Sequence, residues 1–315
     1  MKKIKLGVST CLLGEKVRYD GQHKNNRYIS GTLSKFFDYV PVCPEVECGL
    51  GVPREAMHLE GDADSPRLVT IHSHIDLTDR MQSWIRTRLD QLEHEALCGY
   101  IFKSQSPSSG MQNVKVFNPK TGIPVKNGVG MFARAFMERF PLLPVEEEGR
   151  LNDPGLKENF LERVFAYGRW QELNENLTKH NFIEFHTRHK LQLMAHSPEY
   201  YRKLGQLAAA VSEKGLATTC GEYLPIFMKT LGLHSTIKKN INVLQHIMGY
   251  FKKQLSADEK SELLEIFDSY RQELIPLIVP ITLLNHFIRK YKQDYLKEQY
   301  FLNPGPFELC LRNYT

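Results

Sequence analysis

The hydrophobic pattern of this 315-residue chain changes near residue 150, and this change constrains the fold more than any single motif does. Before that point, short apolar stretches alternate with stretches that have helical spacing. After it, the apolar residues follow helical spacing alone. Strands that alternate with helices favour a parallel sheet with helical crossovers. We therefore predict an α/β parallel-sheet domain, Rossmann-like, over residues 1–145 and an all-α helical domain over residues 150–315.

Three strands of the first domain are followed by unusual residues. We predict strands over residues 3–8, 39–42, 67–71 and 100–103, and helices over residues 78–97 and 128–140. The first strand is followed by Cys11, the second by Cys43, and the fourth by a serine-rich loop over residues 104–110. Ligands bind beyond the carboxyl ends of the strands in such sheets, so we expect these three segments at one rim.

The segment 142–156 has the composition of a linker. It mixes prolines, three consecutive glutamates and an Asp-Pro-Gly turn, so we place the domain boundary there. Beyond it the pattern predicts helices over residues 157–173, 177–195, 198–214, 221–231, 235–254, 257–274 and 280–292. Ser256 and Glu259 have the spacing of a capping box at the start of one of them.

Composition excludes several classes of protein. With 42% hydrophobic and 24% charged residues the chain is not generally disordered, and a net charge of +5 permits polyanion binding without requiring it. The most apolar run, residues 276–284, is about half of the roughly 20 residues that a bilayer span needs. No secretory signal is evident, so we expect a cytoplasmic protein without membrane contact. In that compartment the six cysteines are thiols, metal ligands or catalysts rather than disulfides.

The segment CPEVEC, from Cys43 to Cys48, is the sharpest local signal. Two cysteines at a strand end, with a proline that stiffens the turn, can direct two thiolates to one metal centre. Zinc sites prefer shorter gaps between cysteines, whereas iron–sulfur sites tolerate a wider range. A pair of buried thiols at a tight turn is the alternative for this segment alone.

Two further segments allow more than one interpretation. Cys11 is not a phosphatase nucleophile, because that loop needs an arginine after five residues and Arg18 comes one position late. It is otherwise a small buried side chain or a ligand. The loop after the fourth strand suits an anion or a small polar ligand, or is a solvent-exposed turn. It lacks the phosphate-loop pattern of nucleotide triphosphatases.

Four segments in order resemble one known family. They are STCLLG, VRYDG (residues 17–21), VCPEVECGLGVPRE (42–55) and FKSQSPSSG (102–110), and together they resemble the signature of the thiouracil desulfurase family across residues 4–140. The helical remainder resembles the YbgA-type domain. The combination of the two resembles the bacterial transfer-RNA 4-thiouridine desulfidases.

The resemblance implies a [4Fe-4S] cluster held by three cysteines, with one iron open to a soft thiocarbonyl sulfur. It implies non-redox removal of sulfur from thiolated uracil, and we expect 4-thiouridine in tRNA as the substrate. A desulfurase of free 2-thiouracil is one alternative. A non-catalytic RNA-binding or regulatory protein with a structural metal site is the other. After handling in air, an empty or zinc-filled site would be compatible with iron in the cell.

The chain departs from the family at one ligand. The family loop usually ends in SPSCG, whose cysteine is a cluster ligand, whereas here the position is Ser109. A neutral hydroxyl is a poor iron ligand beside thiolates. Cys48 stands where simpler desulfurases more often lack a cysteine. We therefore hypothesise that Cys11, Cys43 and Cys48 hold the cluster, and that Ser108 and Ser109 face the base.

Other polar residues complete the predicted site. Glu45, beside the second cysteine, is our candidate for the general acid and base, with a structural carboxylate as the alternative. Asp20, Arg54 and Lys103 are candidates to orient a base or to neutralise phosphate, and a role in salt bridges or turns is the alternative for each.

The helical domain carries a basic stretch. Residues 229–256 include Lys238, Lys239 and three other lysines but no acidic residue, which suits contacts to RNA phosphates. A solvated helix face is the alternative. His186 and His189 lie one turn apart among apolar neighbours, so we expect buried histidines rather than a zinc pair.

Overall fold

The computed structural model describes residues 3–314 and divides into two compact units, the first up to Phe160 and the second from Leu161. The first unit combines strands and helices around a parallel sheet, and the second is built from helices. The predicted succession of an α/β domain and an all-α domain is confirmed.

Eight strands form two sheets in the described part of the first unit. They are β1 (Ile4–Ser9), β2 (Phe37–Val42), β3 (Met57–Glu60), β4 (Arg67–Thr70), β5 (Tyr100–Phe102), β6 (Val114–Phe117), β7 (Pro124–Gly128) and β8 (Val145–Glu147). The first sheet has the order β2-β1-β5-β8 and all its pairs are parallel. The second has the order β4-β3-β6-β7 and mixes parallel and antiparallel pairs.

Twelve α-helices are found within residues 3–314. In the first unit these are α1 (Pro44–Glu47), α2 (Thr78–Glu93) and α3 (Met131–Arg139). The others are α4 (Pro154–Glu175), α5 (Lys179–His196), α6 (Pro198–Ala209), α7 (Val211–Lys214), α8 (Leu216–Leu231), α9 (Ile237–Tyr250), α10 (Ala257–Arg271), α11 (Ile278–Lys290) and α12 (Asp294–Lys297).

An aromatic core packs against the parallel sheet and fixes the strands that carry the site. Tyr100 of β5 is fully buried and packs against Phe132 and Phe136 of α3. It also covers Gly7 of β1, where an added Cβ would lie 2.2 Å from a carbon of the tyrosine ring. Only glycine leaves room for this close approach of ring and strand.

The second sheet corrects two sequence expectations. β4 was expected in the parallel sheet, but it pairs antiparallel with β3. Strands β3, β6 and β7 were not predicted, because each is only four or five residues long and β7 is almost wholly exposed, which leaves little hydrophobic pattern. The expected linker also contains a strand: β8 pairs with β5, although Pro141 and Pro144 precede it.

The helical unit has its own core. The predicted helices are present with bounds shifted by a few residues, except that the predicted helix 198–214 is divided into α6 and α7. Val243, Leu284 and Phe301 are among the buried residues of its main apolar cluster. The capping box of Ser256 and Glu259 is formed at the start of α10, as predicted. Across residues 3–314, no helix has both the length and the apolar composition that crossing a membrane requires.

Candidate active site

The carboxyl ends of β1, β2 and β5 open into a cavity of about 670 Å³, which we call the main cavity. Cys11 lies in the turn after β1, and Cys43 directly follows β2. The serine loop, residues 103–110, follows β5, and its Ser109 lines the cavity with the two cysteines. The strand pattern therefore correctly predicted that these three segments meet at one rim.

Glu45 connects the first turn of α1 to the serine loop. The Ser108 hydroxyl donates a hydrogen bond of 2.6 Å to Glu45 Oε1. Glu45 Oε2 lies 3.5 Å from Cys43 Sγ and 3.9 Å from Arg54 Nη2. The carboxylate thus lies between a thiol and a guanidinium, and the Ser108 hydroxyl holds its other oxygen. Glu45 lines the main cavity, whereas Ser108 is fully buried behind it.

The N-terminus of α3 holds the serine loop in place. The backbone amides of Phe132 and Ala133 donate to the carbonyl of Ser108 over 2.9 and 3.1 Å. At Gly130, which precedes α3, an added Cβ would lie 2.5 Å from the carbonyl carbon of Ser108. The Ser106 hydroxyl accepts from the amide of Ser108 at 3.3 Å. The backbone of α3 and the Ser106 hydroxyl therefore both hold the loop in its conformation.

Two glutamates at the end of β8 fix both ends of the serine loop, and the sequence analysis missed them. Glu147 accepts a hydrogen bond from the amide of Met111 at 2.8 Å. Glu148 accepts from the amide of Ser104 at 2.7 Å and pairs with Lys103 at 2.5 Å. The sequence did contain a signal, because the run of glutamates follows a short apolar segment, but its prolines and charges indicated a linker.

Both thiols of the main cavity are poor acids in the protein alone. Burial, and after it the negative charge of Glu45, raises the pKa of Cys11 to about 11 and that of Cys43 to about 12. Thiols with such pKa values are protonated at neutral pH, so the site is not arranged for a free thiolate nucleophile. A bound cation stabilises the thiolate and reverses this preference.

The structure does not bring Cys48 to the main cavity, which departs from the expectation of three converging thiols. Cys48 follows the last residue of α1, and its Sγ lies 3.2 Å from the carbonyl oxygen of Glu45. Cys43, which directly precedes α1, lines the main cavity, whereas Cys48, which follows α1, is not among its lining residues.

The side chains in the main cavity therefore include two of the three cysteine ligands that the family resemblance implied for an iron–sulfur cluster. The third position differs. Cys11 and Cys43 are the thiols in the main cavity, and the Ser109 hydroxyl lines it where the resemblance implied a cysteine. Within residues 3–314, no group of three or more His, Cys, Asp or Glu side chains is arranged to hold a metal ion.

Of the three residues predicted to bind substrate in this unit, two line the main cavity and one does not. Lys103 is neutralised by Glu148, and Arg54 Nη1 donates to the carbonyl of Val17 at 2.9 Å. Asp20 does not line the cavity and pairs with Arg18 at 3.3 Å. Arg18 itself lines the cavity, as do Tyr19 and Lys24, and none of the three was predicted.

Comparison with known proteins agrees with the two units. The model of the 2-thiouracil desulfurase family matches residues 6–148, and that of a family described as a protein of unknown function (DUF1722) matches residues 190–306. The uncharacterized protein YbgA of Escherichia coli (strain K12) is 30% identical over 153 residues, which are 48% of this chain and 90% of YbgA. The chain belongs to the YbgA family. The expected fusion of a thiouracil desulfurase domain to a YbgA-type domain is thus confirmed.

One solved structure is also similar. The [4Fe-4S]-dependent thiouracil desulfidase TudS is 29% identical to this chain, and the match covers 48% of this chain and 95% of TudS. The TM-score is 0.39.

The predicted RNA-contact lysines of this YbgA family member differ in their surroundings. Lys238 is exposed at the start of α9. Lys239 Nζ donates to the carbonyl of His196, the last residue of α5, at 2.7 Å and to that of His234, between α8 and α9, at 3.2 Å. Its ammonium is therefore engaged within the protein.

The histidines of α5 lie in the core, as the sequence predicted. The Nδ1 atom of His186 is 2.9 Å from the hydroxyl of Tyr223, and that of His189 is 2.7 Å from the carbonyl of Phe185. Burial lowers the pKa of His186 to about 4, and it also lowers the pKa of His189. Both rings are therefore neutral members of the helical core.

Proposed function

We propose that this chain removes sulfur from thiolated uracil by a non-redox, iron–sulfur-dependent reaction, and that 4-thiouridine in tRNA is its substrate. The observation that carries the proposal is the hydrogen bond by which the buried Ser108 holds Glu45 at the wall of a cavity that two cysteines line. The match of residues 6–148 to the 2-thiouracil desulfurase family supports the same chemistry.

The proposed cofactor is a [4Fe-4S] cluster, for which Cys11 and Cys43 are the ligands in the main cavity. When bound, such a cluster supplies a Lewis-acidic iron that prefers the soft sulfur of a thiocarbonyl. The high pKa values of the two free thiols are compatible with ligands that lose their protons only when the metal binds.

Glu45 is the proposed proton-transfer residue. The overall change converts a C=S group and water into a C=O group and hydrogen sulfide, so no electrons enter or leave. The Glu45 carboxylate takes a proton from the water that attacks the carbon and passes it to the departing sulfur. The second water proton leaves the new C–OH group as the C=O group forms, and it completes the hydrogen sulfide. Ser108 holds Oε1 by its hydrogen bond, and Arg54 lies beside Oε2, which fixes the carboxylate in the cavity.

A non-catalytic RNA-binding or regulatory protein is the second candidate, and Ser109 is the observation that favours it. A hydroxyl at this place leaves the main cavity with two thiols where the family motif has three ligands. A site with fewer thiolates binds a cluster more weakly, so the site would then serve structure alone.

The test compares substrates on the full chain after anaerobic reconstitution with iron and sulfide. We expect conversion of 4-thiouridine to uridine in tRNA, with a higher kcat/KM than for free 4-thiouracil or 2-thiouracil. Equal or faster turnover of the free bases would contradict the tRNA substrate. The Lys238→Glu variant should lower turnover of tRNA but not of the free bases. Lys238 is exposed and lies far along the chain from the residues of the main cavity.

A further inference from the structure

A second cavity of about 370 Å³ adjoins the main cavity, and the sequence analysis did not anticipate it. The two cavities share lining residues, which are Met57, Ile71, Gln105, Pro107 and Lys115. Its other lining residues belong to three strands of the second sheet and the residue before β6: His58 of β3, Asn113, Val114 and Phe117 of β6, and Lys126 of β7. A ligand in the main cavity can therefore extend into the second without crossing the protein interior.

Two lysines of the second cavity face each other across a strand pair. Lys115 of β6 and Lys126 of β7 are direct partners in the antiparallel register, and both are exposed. Like charges directly opposite each other destabilise a sheet. Neither lysine forms an ion pair with a carboxylate anywhere in the described chain, residues 3–314. The pair is therefore an uncompensated positive site at the mouth of the cavity, which suits an anion.

The same cavity offers flat rings beside the lysines. His58 of β3 and Phe117 of β6 both line it, with ring centroids 4.6 Å apart and planes tilted by 38°. Both side chains are half-buried. Burial lowers the pKa of His58, so its ring is uncharged at neutral pH. Uncharged rings next to two ammonium groups are the combination that single-stranded nucleic acid binds, by stacking and by phosphate contact.

We propose that the second cavity binds the nucleotide adjacent to the thiolated uridine in an RNA strand. Lys115 and Lys126 contact its phosphate, and Phe117 with His58 contacts its base. The proposal rests on the proposed function, because it requires the thiolated base to occupy the main cavity. It deepens that function: a free base carries no phosphate and leaves the second cavity empty, so the cavity selects RNA over thiouracil.

The test uses Lys126→Met, since Lys126 lines the second cavity but not the main one. Lys120→Met is the matched control, because Lys120 is exposed on the same hairpin and lines neither cavity. The probe is a fluorescein-labelled hexauridylate that contains one 4-thiouridine. Its binding to the full chain is measured by fluorescence anisotropy at several salt concentrations, which does not require a loaded cluster.

We expect Lys126→Met to weaken binding of the probe about 3- to 10-fold and to reduce the slope of log K against log salt by about 0.7, the value for one lost phosphate contact to a single strand. Lys120→Met should match the wild type. In reconstituted enzyme, Lys126→Met should lower kcat/KM for the hexamer by a similar factor and leave turnover of free 4-thiouracil unchanged.

Three outcomes would overturn the proposal: a salt slope of Lys126→Met equal to that of the wild type, an equal loss in Lys120→Met, or an equal loss of turnover with free 4-thiouracil. Failure of the wild type to convert either substrate would instead contradict the proposed function. Failure of the second-cavity proposal and failure of the proposed function are distinguishable. The anisotropy measurement tests RNA binding at the second cavity and does not require catalysis.

Discussion

The hydroxyl of Ser108 donates to Glu45 Oε1 over 2.6 Å and thereby joins the loop after β5 to the first turn of α1. The two residues are 63 positions apart in sequence. This contact holds the carboxylate beside Cys43, at the rim where the thiols of two neighbouring strands meet. The proposed chemistry depends on it.

The Glu45→Gln variant tests the proton-transfer role. Glutamine keeps the size of the side chain and can still accept from Ser108, but it cannot take a proton. We expect kcat for thiolated uridine to fall about 10²- to 10⁴-fold, the usual contribution of a general acid or base. Iron content per chain should stay at the wild-type level, because Glu45 is not a proposed ligand. Turnover within a factor of three of the wild type would contradict the assignment.

The Ser109→Cys variant tests the third ligand position. Ser109 lines the main cavity with Cys11 and Cys43, so a cysteine there completes a set of three thiols. We expect more iron and sulfide bound per chain after anaerobic reconstitution, and slower loss of the cluster in air.

Cys48→Ala is the matched comparison for that variant. Because its thiol contacts the Glu45 carbonyl outside the cavity lining, we expect its iron content to equal that of the wild type. Loss of iron in Cys48→Ala, with no gain in Ser109→Cys, would show that Cys48 is a ligand after all.

The Gly130→Ala variant tests the support of the serine loop. The new methyl group would lie 2.5 Å from the carbonyl carbon of Ser108, so backbone atoms have to move. We expect the free energy of unfolding to fall by about 1–3 kcal/mol, as for other overpacked sites, and turnover to fall with it. Gly31→Ala is the control: no atom lies within 4 Å of its added Cβ, and its stability should be unchanged or slightly higher.

His186 should make the helical unit sensitive to acid. Burial lowers its folded pKa to about 4, whereas the pKa in the unfolded chain is about 6.5. The unfolded state therefore binds more protons between these values, and stability is lost as the pH falls from about 6.5 towards 4. At pH 5 this loss is on the order of 2 kcal/mol relative to neutral pH.

The measurement is urea unfolding at pH 7 and pH 5, followed by the fluorescence of Trp170 in a Trp84→Phe background. Trp170 stacks on Tyr223, the partner of His186, so it reports on this core. His186→Gln keeps a polar partner for Tyr223 and removes one titration, so its stability should depend less on pH. An unchanged pH dependence would contradict the assignment.

The sequence predicted the parallel sheet and its rim because strong local patterns determine both. β1, β2 and β5 are apolar strands that lead directly into cysteine or serine segments, so their common edge followed from parallel topology alone. Most of the helices were predictable for the same reason, since their apolar periodicity extends over several turns.

The parts that the sequence did not predict depend on contacts between distant segments. β8 is three residues long, and its glutamates matter only because they meet the two ends of the serine loop. The placement of Cys48 outside the lining of the main cavity depends on the short helix α1, which ends directly before it. The sequence did not predict that the lysines of β6 and β7 lie opposite each other, because this depends on the register of that strand pair.

Anaerobic reconstitution followed by quantification of released sulfide tests the central claim most directly. The wild type and Glu45→Gln are loaded to equal iron content and incubated with 4-thiouridine-containing tRNA. The account predicts one sulfide released for each uridine formed by the wild type, and a loss of at least 100-fold in Glu45→Gln. No sulfide release from tRNA or from free thiouracil, by either the loaded wild type or the loaded Ser109→Cys variant, would contradict it.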